Sequence, residues 1–299
     1  MRIGFIVDNE FNHDPRVGNE AKAVQRAGHE VRVLCLNYGK YRNREIVGGI
    51  EVTRIPIRLK WKNILFGFTN TLPVYHAFWA RHITRFIRRE RLDAIHVADL
   101  YMARSGYLAK KRTGVKLIVD LKENYPAAVV NYEWTKSPLK RLIARPLRWR
   151  KLEPAYLGYA DRIVTMCDVL KEVLVKRYSW LDPVRIYTYM NVPVTEFLLA
   201  QPIREVIPQA PGFYTVIYFG GIAIRRGILT VIAAMESLRA MGEKVRFLAV
   251  GPVDTPEKAL FARYLEHPGT TIASSGFPGS PSTSCLPTFA PRMQGFPRS

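Results

Sequence analysis

The chain has 299 residues, of which 48% are apolar and 23% charged, a composition typical of globular proteins that excludes wholesale disorder. Its 45 Lys and Arg against 25 Asp and Glu give a net charge of +20, which predicts attraction to anionic lipid, nucleic acid or phosphorylated substrates. The three cysteines and six histidines are scattered without metal-binding spacing, so we expect no disulfide framework, no metal or other cofactor, and a reduced cytoplasmic location.

Strand-like and helical patterns alternate along the first two-thirds of the chain. The apolar run "RIGFIV" is followed by a polar loop, a helical pattern that ends at Gly28, and a second apolar run. Next come a helix over 72–90 and the strands "LDAIHVAD" and "GVKLIVDL". They are followed by a helix over 137–158, which Pro146 should bend or break, and by the strand "DRIVTMC". This alternation predicts an α/β fold with a parallel sheet covered on both faces.

A stretch with three prolines, residues 194–212, interrupts the alternation before a second cycle begins. We therefore expect the following domains: an N-terminal Rossmann-like domain over 1–193, a linker over 194–212, and a partial second Rossmann-like domain over 213–268. From Thr270 to Ser299, Ser, Pro, Gly and Thr supply 18 residues, and Asp, Glu and Lys do not occur. This composition predicts a disordered or out-of-frame tail over 269–299. We favour the interpretation that the native sequence has been lost here, by truncation or a shifted reading frame, over that of a natural flexible tail. A doubly wound domain with only about two strands could not cover its own sheet.

Polar residues follow several of the predicted strands at their carboxyl ends. In the loop Asn12–Val17, Asp14 and Pro15 are residues that favour the start of a helix. Arg16 is then either a solvated residue of the helix cap or a group that faces a cleft. In the second interpretation the loop faces the cleft because ligands of open α/β sheets bind beyond the carboxyl ends of the strands, and the two interpretations are about equally supported.

A second polar group follows the strand "GVKLIVDL". Asp120, Lys122, Glu123 and Asn124 should face the same crevice, although a loop ion cluster explains them equally well. Asp99, which follows "AIHVA", is placed with Asp14, Arg16 and Asn124 on the acceptor side of that crevice. His96 lies inside a strand and is interpreted as a satisfied core histidine.

The stretch "YFGGIAIRRGILTVIAAMESL" combines an apolar run, two glycines, two arginines and a helical pattern. Where a strand ends in glycine directly before a helix, the free backbone N–H groups and the positive end of the helix dipole lie together. This arrangement favours the binding of a phosphate. The alternative is a tight turn with solvated arginines. The candidate phosphate-binding residues are Gly220, Gly221, Arg225 and Arg226.

Taken together, these motifs resemble a retaining glycosyltransferase of family 4 with the GT-B fold. The stretches that carry the resemblance are "NHDPRVGNEAKAVQRAGHEVRVL", "DAIHVADL", "VDLKENYP", "ADRIVTMC" and "FGGIAIRRG". The resemblance implies two doubly wound Rossmann-like domains, the second truncated here, with Arg226 at the diphosphate position and Lys122 near the transferred sugar. This sequence departs from the family at Gly221, where a basic residue is common, and at Ala98 and Lys122, where histidines are common.

The implied activity is transfer of a sugar from a nucleoside diphosphate sugar to an acceptor hydroxyl, with retention and without a metal. Lys122 and Glu123 are then the catalytic candidates, and the acceptor is a carbohydrate or a lipid-linked sugar. The family's acidic pair E-x7-E, which grips the donor, has no counterpart, because no Asp or Glu follows Glu266. We therefore expect impaired activity. The alternatives are a non-catalytic fragment, an acceptor- or membrane-binding remnant, and a sugar-nucleotide epimerase of the same fold.

Two strongly basic stretches remain. Val52 to Leu92 holds nine Lys and Arg against Glu90 alone, and residues 136–151 hold seven basic residues and no acid. They form either a solvated face over a packed core or a surface for peripheral contact with anionic membrane. The arginines of the helix over 72–90 lie on the side opposite its aromatic residues, and they are Arg81, Arg85, Arg88 and Arg89. Nucleic acid is not expected as a partner, because no binding motif accompanies the charge.

Overall fold

The computed structural model describes residues 1–12, 14–132, 135, 138–192, 195, 199–200, 211–253, 257–262 and 270–273. The chain divides into two units, Met1–Gln201 and Pro202–Ser299, and the division falls inside the stretch that the sequence marks as a linker. Each unit is an α/β structure, with a mostly parallel sheet in the first unit and parallel described strands in the second.

The strands of the first unit are β1 (Arg2–Ile6), β2 (Glu30–Asn37), β3 (Arg44–Val47), β4 (Ile50–Pro56), β5 (Ala94–Ala98), β6 (Lys116–Leu121), β7 (Arg162–Thr165) and β8 (Ile186–Thr188). These eight described strands form one sheet in the order β3-β4-β2-β1-β5-β6-β7-β8. All neighbouring strands are parallel except β3 and β4, which form an antiparallel hairpin through Gly48 and Gly49. Both glycines have positive φ, as a two-residue hairpin turn requires.

The helices of the first unit are α1 (Pro15–Arg26), α2 (Leu59–Gly67), α3 (Val74–Glu90), α4 (Ala103–Thr113), α5 (Tyr125–Ala128), α6 (Pro138–Ala144), α7 (Trp149–Tyr159) and α8 (Asp168–Arg177). Side chains of the central strands alternate between two buried clusters. Ile6 of β1 shares one cluster with Trp79 of α3, and the adjacent Phe5 shares the other with Val17 of α1. Helices therefore cover both faces of the sheet, as the near-continuous apolar runs of its strands predict.

The helix predicted over 137–158 is two helices in the structure. After α6 ends at Ala144, Arg145 takes a positive φ, and Pro146 begins a short 3₁₀ turn before α7 begins at Trp149. Proline lacks the N–H that would continue the hydrogen-bond ladder, so the chain breaks where the sequence places the bend. No helix in the described part of the chain has the length and hydropathy needed to cross a bilayer.

The second unit has β9 (Tyr214–Phe219), α9 (Ile228–Ala240), β10 (Val245–Val250), α10 (Lys258–Ala262) and β11 (Thr270–Ala273). Its described strands are parallel in the order β11-β10-β9. Residues 270–273 of the expected tail form β11, which pairs in register with Phe247–Val250 of β10. Because the composition was averaged over thirty residues, it did not reveal a strand of only four residues. The rest of the expected tail, 274–299, lies outside the described residues.

Candidate functional site

The polar residues after β1 and in β6 meet through a buried salt bridge between Arg16 and Asp120. Arg16 Nη2 lies 2.6 Å from Asp120 Oδ1, and Arg16 Nε lies 3.0 Å from Oδ2, a two-point contact that fixes both planes. The sequence places Arg16 there because Asp14 caps α1 and Pro15 begins it. Only 4% of the Arg16 side chain and none of the Asp120 side chain is exposed. Arg16 is therefore not a solvated cap residue.

A third contact of Arg16 reaches the segment after β8. Its Nη1 donates to the carbonyl oxygen of Tyr189 at 2.6 Å, and the guanidinium lies 5.3 Å from the centre of the Tyr189 ring. Burial alone would lower the pKa of Arg16, but the hydrogen bonds and charge of Asp120 raise it. The guanidinium is thus a permanent charge that ties α1, β6 and the chain after β8 together at the carboxyl edge of the sheet.

Lys122 and Asp14 form a second ion pair at this edge, with Nζ and Oδ2 2.6 Å apart. Burial alone would lower the pKa of Lys122, but the carboxylates of Asp99 and Asp14 raise it. Burial would likewise raise the pKa of Asp14, yet the Lys122 charge lowers it. Lys122 is therefore a fixed positive charge at neutral pH, where an imidazole could exchange a proton.

Asp99 follows β5 in a strained conformation, with φ at 74°. Its N–H donates to the carbonyl of Asp120 at 2.8 Å, and Tyr101 donates to Asp99 Oδ2 at 3.3 Å. Burial raises the pKa of Asp99 to about 7, although the Lys122 charge opposes the rise. A non-glycine residue with this φ costs on the order of 1–3 kcal/mol and is kept only where its surroundings hold it. Asp99 is thus a carboxyl near its midpoint at neutral pH.

Glu123 and Asn124 complete the group on the first unit. The Glu123 carboxylate accepts a short hydrogen bond from the Tyr132 hydroxyl. Asn124 precedes α5, and its Oδ1 is buried without a hydrogen-bond partner among the described residues. The structure thus brings the predicted residues of this unit to the carboxyl ends of β1, β5 and β6: Asp14, Arg16, Asp99, Lys122, Glu123 and Asn124.

Glu20 and His96 lie behind this group, and the sequence reasoning missed Glu20. Glu20 Oε1 is 3.2 Å from Arg16 Nη2, and Oε2 is 3.7 Å from His96 Nε2. Burial, helped by the Asp120 charge, raises the pKa of Glu20 to about 8, and burial lowers the pKa of His96 to about 4. His96 is buried against Phe5 as expected, but its Nδ1 has no hydrogen-bond partner in the described chain, so it is not fully satisfied.

Glu20, His96 and Asp120 place ligand atoms within 4.8 Å of one another, a spacing that a metal ion could bridge. Both Asp120 oxygens are already bonded to Arg16, and Glu20 faces the same guanidinium. The Arg16 guanidinium therefore supplies the positive charge that a metal ion would supply to these carboxylates, and we assign no metal to this group.

Asp8, which follows β1, is a further buried carboxyl that the sequence reasoning missed. Its Oδ1 accepts a short hydrogen bond from Tyr75, and Lys62 Nζ lies 3.2 Å from its Oδ2. Burial raises the pKa of Asp8 despite the Lys62 charge. The rule that pointed to Asp99 and Asp120, an acidic residue at the carboxyl end of an apolar strand, could have found it.

The glycine loop lies on the second unit, with Gly220 after β9 and Gly227 as the N-cap of α9. Gly220 and Gly227 both have positive φ, and a Cβ on Gly251 would lie 2.0 Å from the Gly220 carbonyl oxygen, so backbone passes close to backbone here. Helix α9 begins at Ile228, directly after Gly227, and its first N–H groups carry no side-chain cap.

Arg225 and Arg226 lie in an exposed 3₁₀ turn between these glycines, and Gly221 is also exposed. The N–H of Ile224, at the start of that turn, donates to Glu257 Oε2 at 2.7 Å. One backbone N–H of the loop thus already donates to a carboxylate.

The sequence profile described as "Glycosyl transferase 4-like domain" matches residues 14–188, more than half of the chain. No curated protein matches the sequence. Several solved structures are similar in fold. A sucrose-phosphate synthase from Thermosynechococcus elongatus is 16% identical, with a TM-score of 0.57 over 92% of this chain and 70% of that one.

Two further structures give the same result. A glycosyltransferase from Rickettsia africae is 14% identical, with a TM-score of 0.56 over 92% of this chain and 68% of that one. Anabaena HepE in complex with UDP is 10% identical, with a TM-score of 0.56 over 92% and 69%. At these identities the likeness establishes the fold alone, two doubly wound α/β domains of the GT-B class.

Proposed function

The chain belongs to the family of glycosyl transferase 4-like domains, and we propose that it acts on a nucleoside diphosphate sugar, passing the sugar to an acceptor hydroxyl with retention. The observation that carries this proposal is the meeting of Arg16, Asp120, Lys122, Asp14 and Asp99 at the carboxyl edge of the eight-stranded sheet. Ligands of such sheets bind at this edge. The UDP bound to the HepE structure supports a nucleotide as the donor's carrier.

On the acceptor side, Lys122 and Asp99 have complementary roles. Lys122, held by Asp14, supplies a fixed positive charge for the transferred sugar or its phosphate. Asp99, with a pKa of about 7, accepts a hydrogen bond from the acceptor hydroxyl. Glu123 orients the substrate from its hydrogen bond with Tyr132, and Asn124 offers its open Oδ1.

On the donor side, the glycine loop of the second unit contacts the diphosphate. Gly220 and Gly221 bring backbone close to the ligand, and the N–H groups at the start of α9 point at its oxygens. Arg225 and Arg226 add charge where the leaving diphosphate becomes more negative in the transition state. Glu257 is displaced from the Ile224 N–H if a phosphate takes that position.

We further propose that turnover by the 299-residue chain is impaired, because no acidic residue after Glu266 supplies the donor-gripping pair. The purified chain should release no nucleoside diphosphate above background across a panel of sugar nucleotides, with or without carbohydrate acceptors. Sustained release would contradict the impairment. Interconversion of the donor sugar without release would favour the epimerase alternative, and absence of donor binding would favour a non-catalytic fragment.

A lipid-linked acceptor at the cytoplasmic face of a membrane is the partner that the first unit supports best. A groove of about 920 Å³ between α2 and α6 is lined by Ile64, Phe66, Phe68 and Ile143 together with Lys60 and Lys62. Lys62 also pairs with Asp8, so this groove adjoins the candidate site. Leu59 and Trp61 beside it are exposed by half or more, and the basic residues complement an anionic bilayer.

A further inference from the structure

Four arginines line one groove between α3 and α4, outside the site described above. Arg81, Arg85 and Arg88 follow one another at helical spacing on α3, and Arg112 lies in the last turn of α4. Thr84, which is buried, completes the lining. The groove is open to solvent, its four arginines are exposed, and its volume is about 380 Å³, near the lower end of the ~300–1,000 Å³ typical of small-molecule pockets, which suits a small anion with water.

Among the described residues, no carboxylate forms a salt bridge with any of these four arginines. The single acidic residue of α3, Glu90, is paired with Arg89 at 2.6 Å and with Arg32 at 3.7 Å, and α4 has no acidic residue. In the part of the chain that the structure describes, none of the four groove arginines forms a salt bridge.

The other basic residues of the two helices do have partners. Lys110 pairs with Asp161 at 2.7 Å, Lys111 lies over the Tyr107 ring, and Arg104 is hydrogen-bonded to Tyr156. Of these three, Lys110 alone is paired with a carboxylate, so the groove arginines form the largest part of an excess of positive charge on α3 and α4.

Helix-end electrostatics explain only part of this arrangement. Arg88 and Arg112 lie in the last turns of their helices, where the dipole favours a cation. Arg81 and Arg85 lie in the middle of α3, where that effect has faded. Burial lowers the pKa of His82, and the charges of Arg85 and Arg81 lower it further, which indicates an uncompensated positive field beside the groove.

We propose that the groove between α3 and α4 binds a phosphate or diphosphate group. Guanidinium forks from two helices can contact several oxygens of one phosphate and relieve the repulsion among themselves. The last turns of α3 and α4 lead directly into the first residues of β5 and β6, so the groove lies toward the amino ends of these strands. It is therefore a second anion site, separate from the carboxyl edge that holds Arg16 and Asp120.

The test uses the full chain and sodium pyrophosphate as the probe, in calorimetric titrations at constant ionic strength. The groove variant is Arg81→Gln/Arg85→Gln/Arg88→Gln. Its matched control removes the same charge from exposed arginines elsewhere, Arg26→Gln/Arg42→Gln/Arg44→Gln. Both variants are built on Arg225→Gln/Arg226→Gln, which removes the arginine charge of the glycine loop proposed above to contact a diphosphate. On that background, pyrophosphate should bind the parent and the control alike and bind the groove variant at least about tenfold more weakly. The charge-preserving Arg81→Lys/Arg85→Lys/Arg88→Lys variant should retain part of the affinity, which separates recognition from a folding defect.

Vesicles identify the source of the phosphate. Phosphatidylcholine vesicles with and without phosphatidic acid are added to the same variants. Binding only to phosphatidic acid vesicles, lost in the groove variant and kept in the control, assigns the phosphate to a lipid headgroup. Equal weakening of both triple variants, or no binding of the wild type to pyrophosphate and to phosphatidic acid, would overturn the proposal.

Discussion

Arg16 joins positions that are distant in the sequence, because it contacts Asp120, 104 residues away, and Tyr189, 173 residues away. A buried pair of this kind need not stabilise the fold relative to apolar residues, but removing one partner leaves a charge without compensation. The pair therefore holds the carboxyl edge in one arrangement. Its loss should lower the free energy of unfolding and also disturb the geometry of the site.

Asp120→Asn should lower the free energy of unfolding by about 3–5 kcal/mol, because it leaves the Arg16 charge buried beside a neutral amide. Denaturant unfolding measures the change. Glu30→Gln is the control, since Glu30 and Arg2 form a pair that is 56% and 44% exposed. That substitution should cost within about 1 kcal/mol. Equal losses for the two variants would contradict a special role for the buried pair.

Glu20 should make the protein less stable as the pH rises. Its pKa is about 8 in the folded protein, raised by burial from a model-compound value of 4.5. Above pH 4.5 the unfolded state loses the proton first, so the stability contributed by Glu20 falls between pH 4.5 and about 8. Glu20→Gln should therefore be more stable than the wild type at pH 8, with the advantage vanishing toward pH 4.5. Thermal melts across this range measure the difference, and a constant difference would contradict the assignment.

Part of the candidate site could be predicted from the sequence. Asp14, Arg16, Asp99 and Lys122 were located by one rule, that polar groups at the carboxyl ends of parallel strands meet. Their pairings were not predictable, because which carboxylate faces which cation depends on side-chain packing across three strands. Glu20 was missed although it lies four residues after Arg16 on the same helix, a spacing that predicts contact.

At the scale of elements, strongly periodic segments were predicted well and short ones were not. Helix α3 was found because its aromatic and aliphatic residues recur at helical spacing and are buried, as Tyr75, Trp79 and Ile83 show. Helix α2 was missed because its apolar residues are spread around the helix, so nine residues show no clear helical periodicity. The hairpin strand β3 was missed because four residues give too little alternation.

Helix α2 supplies the membrane prediction. Leu59→Ala/Trp61→Ala should weaken binding to anionic vesicles by at least about tenfold, because burying each side chain contributes about 1.5–3 kcal/mol. Ile46→Ala/Val184→Ala removes exposed apolar groups elsewhere and is the control. Vesicle sedimentation measures the partition. Equal binding of the wild type to neutral and anionic vesicles, or equal loss in both variants, would assign α2 to an ordinary solvated surface.

At the scale of the whole molecule, the division between the two units falls within the stretch where prolines interrupt the pattern. Beyond Ala273, where the described residues end, the sequence is rich in Ser, Pro, Gly and Thr. Limited proteolysis should remove 274–299 first and leave a core that ends near Ala273, later than the sequence alone suggested, because β11 is paired. Mass spectrometry identifies the cut. Earlier cleavage within 194–212, with the C-terminal residues protected, would contradict this expectation.

The central claim is that the chain recognises a nucleoside diphosphate through the glycine loop of its second unit, whether or not it completes transfer. The most direct measurement is calorimetric titration of the full chain with UDP, GDP, ADP and dTDP, repeated on Arg226→Gln and on the control Arg239→Gln at the other end of α9. We predict that at least one diphosphate binds, that Arg226→Gln weakens it by about tenfold, and that Arg239→Gln leaves it unchanged. No binding of any diphosphate, or the same affinity in Arg226→Gln as in the wild type, would contradict the claim.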